Sequence, residues 1–447
     1  MRNKDISLIL GLLVFFLILF FSPFDEGVRK GLAILSIAAI LWITEAIPLS
    51  ATALLIPVLG VLTGVFDVKT ALSYFAHPLI FLFFGGFVLA ITLSKYEIDK
   101  FIAHKIVSVA QGKFLLSVFL LMLATSLISM WISNTSTTAM MLPLALGMLA
   151  TLKGEIPERL YTFVLLGIAY SASIGGIGTL VGSPPNGIAA GILELSFTDW
   201  LKFGLPTFFV LFPLLFIILM LVFRPPSNLE IGKVDNIRFE FTGKRILVLA
   251  IFLLTALGWI FSKQIAPIFG VKKYFDTVVA LVAVITLVSL RLIDWKDINR
   301  GVSWGTLLLF GGGIALSGIM KKTGTAKFIS QKLMGILGDA PTIVFLLIIV
   351  LFVIFLTELM SNTATTALIA PILVSTAQGL GKPPEMFVIP ATVAASCAFM
   401  LPVATPPNAI VYGTNYIKQK DMMKVGIVLN ITFGIVLTLL FKVYVGG

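Results

Sequence analysis

SNTSTTAMMLP occupies residues 133–143 and SNTATTALIAP residues 361–371, and seven of the eleven positions are identical. Each segment splits a long apolar region, 114–150 in one case and 341–378 in the other. An apolar run broken by Ser-Asn-Thr, then continued by Thr and Ala to Pro143 or Pro371, predicts a helical hairpin that dips into a membrane and returns. VGSPPNGI (181–188) and VATPPNAI (403–410) form a second pair, identical at five of eight positions. Phe84-Gly85-Gly86 answers Phe310-Gly311-Gly312. The three pairs keep their order at offsets of 228, 222 and 226 residues, which marks an internal duplication.

The rest of the chain suits a membrane. Of 447 residues, 58% are hydrophobic and 12% charged, against roughly 25% charged in soluble domains. Apolar blocks such as Ile6–Ser22, Phe208–Phe223 and Ile427–Phe441 are long enough to cross a hydrocarbon core of about 30 Å as helices. Spans are expected at about 6–22, 31–47, 51–66, 79–94, 160–196, 199–223, 245–262, 275–290, 303–319, 385–416 and 425–443. The predicted fold is therefore an all-α polytopic membrane protein of about eleven transmembrane helices plus two re-entrant hairpins. Its expected divisions are an N-terminal helix (1–30), a first repeat (31–225), a cytoplasmic linker (226–243) and a second repeat (244–447).

Orientation follows from the basic residues. Arg2 and Lys4 precede an apolar run that ends in Ser-Pro-Phe-Asp-Glu (22–26) with no Ala-x-Ala site, so it reads as a first membrane helix rather than a cleaved leader. With the N-terminus inside and each hairpin returning to its own side, three basic groups fall in the cytoplasm, as the positive-inside rule asks. They are Arg224, Lys233, Arg238, Lys244 and Arg245; Arg291, Lys296 and Arg300; and Lys418, Lys420 and Lys424. Lys321, Lys322, Lys327 and Lys332 fall outside, against the rule. On this count the C-terminus lies outside the cell's inner (plasma) membrane. The first hairpin then enters from inside and the second from outside, so the repeats are inverted. Secondary transporters use that plan and place their substrate where the halves meet.

The net charge of +11 sits in short loops between spans and does not indicate nucleic acid. One cysteine, Cys397, allows no internal disulfide, and His77 and His104 are too far apart in sequence to suggest a metal cluster. No HExxH, GxSxG or paired intramembrane aspartates occur, so the chain is not read as an enzyme. An inverted repeat also argues against a channel of parallel subunits.

A broken helix in hydrocarbon costs several kcal/mol per unsatisfied backbone group unless protein, water or an ion replaces the lost bonds. Ser, Asn and Thr beside a proline kink can simply cap helices. Two motif pairs repeated in register favour use over capping. Hydroxyl and carbonyl oxygens suit a hard cation such as sodium, and helix N-termini with amide donors suit a carboxylate. No Lys, Arg or His lies within the SNT or PPN segments, so a dianion there needs bound cations to offset its desolvation. Cation-coupled anion transport is the resulting expectation. Glu45 and Glu358 are candidate intramembrane carboxylates, with a surface turn and a structural cap as their respective plainer roles. The paired glycines are expected to allow close helix packing, and the basic stretches 95–113 and 321–332 to form interfacial amphipathic helices.

At SNT (133–135 and 361–363), WITEAIP (42–48) and the paired PPN segments, the sequence resembles the divalent anion/sodium symporter family over essentially its whole length. The resemblance implies sodium-coupled symport of C4-dicarboxylates such as succinate, malate or fumarate. Sulfate or another divalent oxyanion, or dicarboxylate exchange, are the alternatives. It implies that Asn134, Thr135, Asn362 and Thr363 hold the substrate carboxylates within tips opened by Ser133 and Ser361, with Thr405 and Pro406 beside them. One sodium would sit among Ser129, Ser133, Asn134 and Gly182. The other would sit among Thr357, Met360, Asn362 and Ala404, several of them through main-chain carbonyls. A homodimer and an elevator-like movement of the hairpin-bearing part are also implied. Ser183 stands where the second half has Thr405, so the halves are not chemically identical.

Overall fold

A computed structural model describes residues 2–152, 156–226, 229–231, 239–337 and 341–445. Lys233, Arg238 and half of the expected linker lie outside the described residues. Those described form helices and no named strand. The first part of the chain runs α1 (Arg2–Phe21), α2 (Glu26–Thr44), α3 (Leu49–Leu62), α4 (Val68–Ser73), α5 (Pro78–Lys95) and α6 (Ile98–Ser108). It continues through α7 (Phe114–Ser129), α8 (Asn134–Ala150), α9 (Glu158–Ile177), α10 (Pro184–Leu193) and α11 (Phe197–Phe223). The second part runs α12 (Gly243–Ile260), α13 (Ser262–Ile265), α14 (Phe275–Ser289), α15 (Trp295–Gly301), α16 (Trp304–Lys322) and α17 (Thr325–Leu337). It ends with α18 (Thr342–Thr357), α19 (Asn362–Gly379), α20 (Glu385–Ala395), α21 (Pro406–Tyr412) and α22 (Gln419–Val445).

Among the described residues, eight helical stretches are long and apolar enough to cross a membrane. α3, α7, α14, α18 and α20 are apolar but shorter. Outward-facing side chains such as Phe21, Leu221 and Ile285 are 79%, 67% and 63% exposed, an apolar surface that suits lipid and not water.

The Ser-Asn-Thr segments break the helices where expected. α7 stops at Ser129 and α8 begins at Asn134; α18 stops at Thr357 and α19 begins at Asn362. Ser133 caps α8 by accepting from the Ser136 amide at 3.3 Å, and Ser361 caps α19 by accepting from Ala364 at 3.2 Å. The Pro-Pro-Asn segments divide the regions expected at 160–196 and 385–416. α9 ends at Ile177, and α10 starts only at Pro184; α20 ends at Ala395, and α21 starts at Pro406. Proline lacks the amide that would continue the ladder, so it serves best as the first residue of a new helix.

The glycine pairs bring backbones together. A Cβ added to Gly85 would lie 2.7 Å from the Ala280 Cβ, and one added to Gly312 would lie 2.5 Å from the Ala53 Cβ. α5 thus crosses α14, and α16 crosses α3, at distances that only glycine permits. The basic stretch 321–332 divides differently from expectation. Lys321 and Lys322 form the last turn of α16, because Gly324 at φ +73° stops that helix before α17 starts. Glu45 ends α2 in the left-handed region at φ 45° and is exposed, so it occupies the surface turn.

Candidate functional site in a cavity between the broken helices

The four breaks meet. Residues 133–136, 182–185, 361–363 and 404–407 line one cavity of about 950 Å³. The rest of the lining comes mainly from α3 (Leu49, Ser50), α5 (Phe87, Ala90, Ile91, Ser94) and the α15–α16 corner. Ser94, Arg300, Ser303 and Gly305 are exposed, so the rim lies at the end of the molecule where α5 finishes.

Each tip combines donors with acceptors. With Ser133 capping Ser136 and the Thr137 amide bonded to the Ser133 carbonyl, the first amides of α8 stay free for a ligand. The same holds for α19, where Ser361 serves Ala364 and Thr365. Two helix N-termini therefore open on one cavity, an arrangement that favours anions.

Behind the tips lie oxygen clusters. Ser129 Oγ lies 2.7 Å from Asn134 Oδ1 and 2.8 Å from the Ala172 carbonyl. Thr357 Oγ1 lies 2.7 Å from Asn362 Oδ1 and 2.9 Å from the Ala395 carbonyl. A hydroxyl has one proton, so it cannot satisfy both neighbours, and each cluster is short of donors. In the first half more oxygens close in. A Cβ on Gly176 would lie 2.6 Å from Asn134 Oδ1 and 3.0 Å from the Gly182 carbonyl. A Cβ on Gly182 would lie 2.6 Å from the Gly176 carbonyl and 3.0 Å from that of Met130. Neutral oxygens crowded around glycines suit a small hard cation. In the second half Ala404 shares the cavity wall with Asn362, and Met360 is buried just before the tip.

The structure thus joins Ser129 to Asn134, brings Gly182 beside them, and joins Thr357 to Asn362. Thr135, Thr363, Thr405 and Pro406 line the cavity. Ser133 and Ser361 also line it, with their hydroxyls engaged as caps. Thr405 Oγ1 caps α21 by accepting from the Asn408 amide at 3.2 Å, whereas Ser183 makes no side-chain cap. The halves thus differ in capping here although both carry a hydroxyl.

Several working residues were not singled out by sequence. The Asn186 side chain donates to the carbonyls of Gly176 (2.9 Å) and Thr179 (2.8 Å). Asn408 donates to those of Ala398 (3.0 Å) and Leu401 (3.1 Å). The asparagine of each Pro-Pro-Asn therefore braces the unwound segment before it. Glu358 is buried and accepts from the amides of Phe399 (2.7 Å), Met400 (2.9 Å) and Leu401 (3.0 Å) and from Asn430 Nδ2 (2.8 Å). Its plainer reading as a cap stands, because every contact it makes holds backbone or α22. The first half has Met130 at that position and instead ties its break by the Thr179 hydroxyl donating to the Met130 carbonyl. Arg300, a topology marker in the sequence, proves to line the cavity.

Residues 3–445 match the family described as the sodium:sulfate symporter transmembrane region. The chain belongs to this family. It is 46% identical to an uncharacterized transporter of Haemophilus influenzae over 444 residues, covering 98% of this chain and 96% of that one. It is 35% identical to the sodium-dependent dicarboxylate transporter SdcS of Staphylococcus saprophyticus, covering 97% of this chain and 90% of SdcS. Among solved structures, the YdaH transporter of Alcanivorax borkumensis aligns with TM-score 0.60 at 16% identity, covering 84% of this chain and 87% of that one. MtrF of Neisseria gonorrhoeae aligns with TM-score 0.59 at 13% identity, covering 97% of each chain. These two likenesses concern the fold. The protein is a multi-pass membrane transporter of the sodium:sulfate symporter family and not an enzyme.

Proposed function

We propose that the protein is a sodium-coupled symporter of C4-dicarboxylates. One observation carries the reading: both Ser-Asn-Thr tips and both Pro-Pro-Asn breaks line a single cavity, with no carboxylate among the described residues that line it. Asn134, Thr135, Asn362 and Thr363 would bind the dianion, with Thr405 and Pro406 on its flank. Sodium would occupy the two oxygen clusters behind them, the first at Ser129, Ser133, Asn134 and Gly182 and the second at Thr357, Met360, Asn362 and Ala404. Each asparagine then serves both ligands, its Oδ1 toward the cation and its amide toward the carboxylate, which couples the two.

The family description names sulfate, while SdcS is named for dicarboxylates. Two tips, each with its own free amides, offer two separate anchor points, which fits a molecule with two carboxylates better than a single tetrahedral anion.

The two halves also differ in a way that supports elevator-type alternating access. α19 packs along α16 and α17, whereas α8 has no comparable packing on α5 or α6. A gap of about 670 Å³ separates α8 from α6. Exchange of these two arrangements between inverted repeats would open the cavity to the other side. Eleven spans, an N-terminus inside, a C-terminus outside and a homodimer complete the proposal. On that topology the rim near Arg300 faces the cytoplasm.

Binding of succinate to the purified protein, measured by calorimetry in sodium and in potassium chloride, tests the reading. Heat of binding only in sodium supports it. Equal binding in both salts overturns sodium coupling, and tight sulfate binding without succinate binding transfers the site to the oxyanion.

A further inference from the structure

Arg300 is the one charged residue among the described residues that line the cavity. It lies in the last turn of the short helix α15, which is tied to α5 by Lys95 donating to Asp297 at 2.7 Å. The Asp297 carboxylate is thereby already paired, and the bond from Lys95 holds it below its usual range. Gly301 seats the corner against α5, since a Cβ there would lie 2.7 Å from the Ile91 side chain. Arg300 is exposed and thus stands at the rim of a cavity whose described lining carries no other charge.

We propose that Arg300 is a capture and selectivity residue for the dianion on the membrane face to which this cavity opens. The inference deepens the dianion-carrier reading and rests on it. A single fixed positive charge at the neck of a low-dielectric funnel concentrates anions and raises their arrival rate, by about tenfold or more, in a manner weakened by salt. It does not add to the oxygen clusters, to which α15 contributes no residue. If the hairpin-bearing part moves against the α3–α5–α15–α16 wall, Arg300 stays behind. The effect is then one-sided, and dianions are favoured over monoanions only on that face.

The test is labelled succinate uptake into membrane vesicles of both orientations, at fixed sodium, with and without added choline chloride. In Arg300→Gln the KM on the cavity-rim face should rise about tenfold or more and lose its dependence on ionic strength. kcat from that face, sodium dependence and the KM on the other face should stay near wild type. kcat from the other face should fall in proportion, because the ratio of kcat/KM in the two directions is set by the gradient. Arg300→Lys should restore most of the effect. An unchanged KM in Arg300→Gln overturns the proposal while leaving the carrier reading intact. An equal rise on both faces, or a rise that keeps its salt dependence, also overturns it, because a merely structural role would behave so. Absence of succinate uptake by the wild-type protein overturns both together.

Discussion

Asn134 and Asn362 follow the residues that cap their helices, and this separates binding from folding. The caps are Ser133 and Ser361, so replacing either asparagine removes no cap bond. It removes the oxygen that meets Ser129 or Thr357 at 2.7 Å. The two hydroxyls keep the Ala172 and Ala395 carbonyls as acceptors, so the loss falls on bound ligands, where a hydrogen bond to a charged group is worth about 1.5–3 kcal/mol, roughly ten- to hundredfold in affinity. Asn134→Ala and Asn362→Ala should each nearly abolish transport and weaken sodium and succinate binding jointly. Their melting temperatures should stay close to wild type. A mutant that binds succinate normally at wild-type sodium would show that the tips are not the site. Thr405→Ser is milder, because a hydroxyl that can cap Asn408 survives.

At the scale of elements, the breaks matter more than the helices. Each unwound segment has its own brace: Asn186 in one half, Asn408 with Glu358 in the other. Rigid breaks can then be carried as parts of a moving body. The first break is docked now, with a Cβ at Gly86 of α5 lying only 3.3 Å from the Val181 Cβ. The equivalent Val403 is 84% exposed. In a Cys397→Ala background, Gly86→Cys with Val181→Cys should crosslink readily, since a shift of a few tenths of an ångström brings the Cβ atoms to the roughly 3.5–4.5 Å that a disulfide wants. Uptake should stop on crosslinking and return on reduction. Full uptake by the crosslinked protein would contradict the elevator exchange.

Much of the site was legible because membrane helices are costly to break. The hairpin boundaries 114–150 and 341–378 nearly coincide with α7–α8 and α18–α19, and the Pro-Pro-Asn breaks start α10 and α21. Residues that act through main-chain carbonyls, such as Ala172, Ala395 and Gly176, left no signal, because any side chain has a carbonyl behind it. The bracing role of Asn186 and Asn408 became visible only when the segments before them curled back. Arg300 was read as loop charge because it is far in sequence from every motif and reaches the cavity only through the α15–α16 corner. The difference in packing between α8 and α19 could not be read from the motif the two helices share, since packing depends on neighbours that the motif does not name.

For the molecule as a whole, the argument turns on charge. A dianion in a cavity whose described lining holds one arginine and no carboxylate would need bound cations beside it, since burying an uncompensated charge is costly. Purified protein in proteoliposomes, given labelled succinate under an inward sodium gradient, tests this directly. The account predicts accumulation that collapses when potassium replaces sodium. Equal uptake in both salts would contradict it.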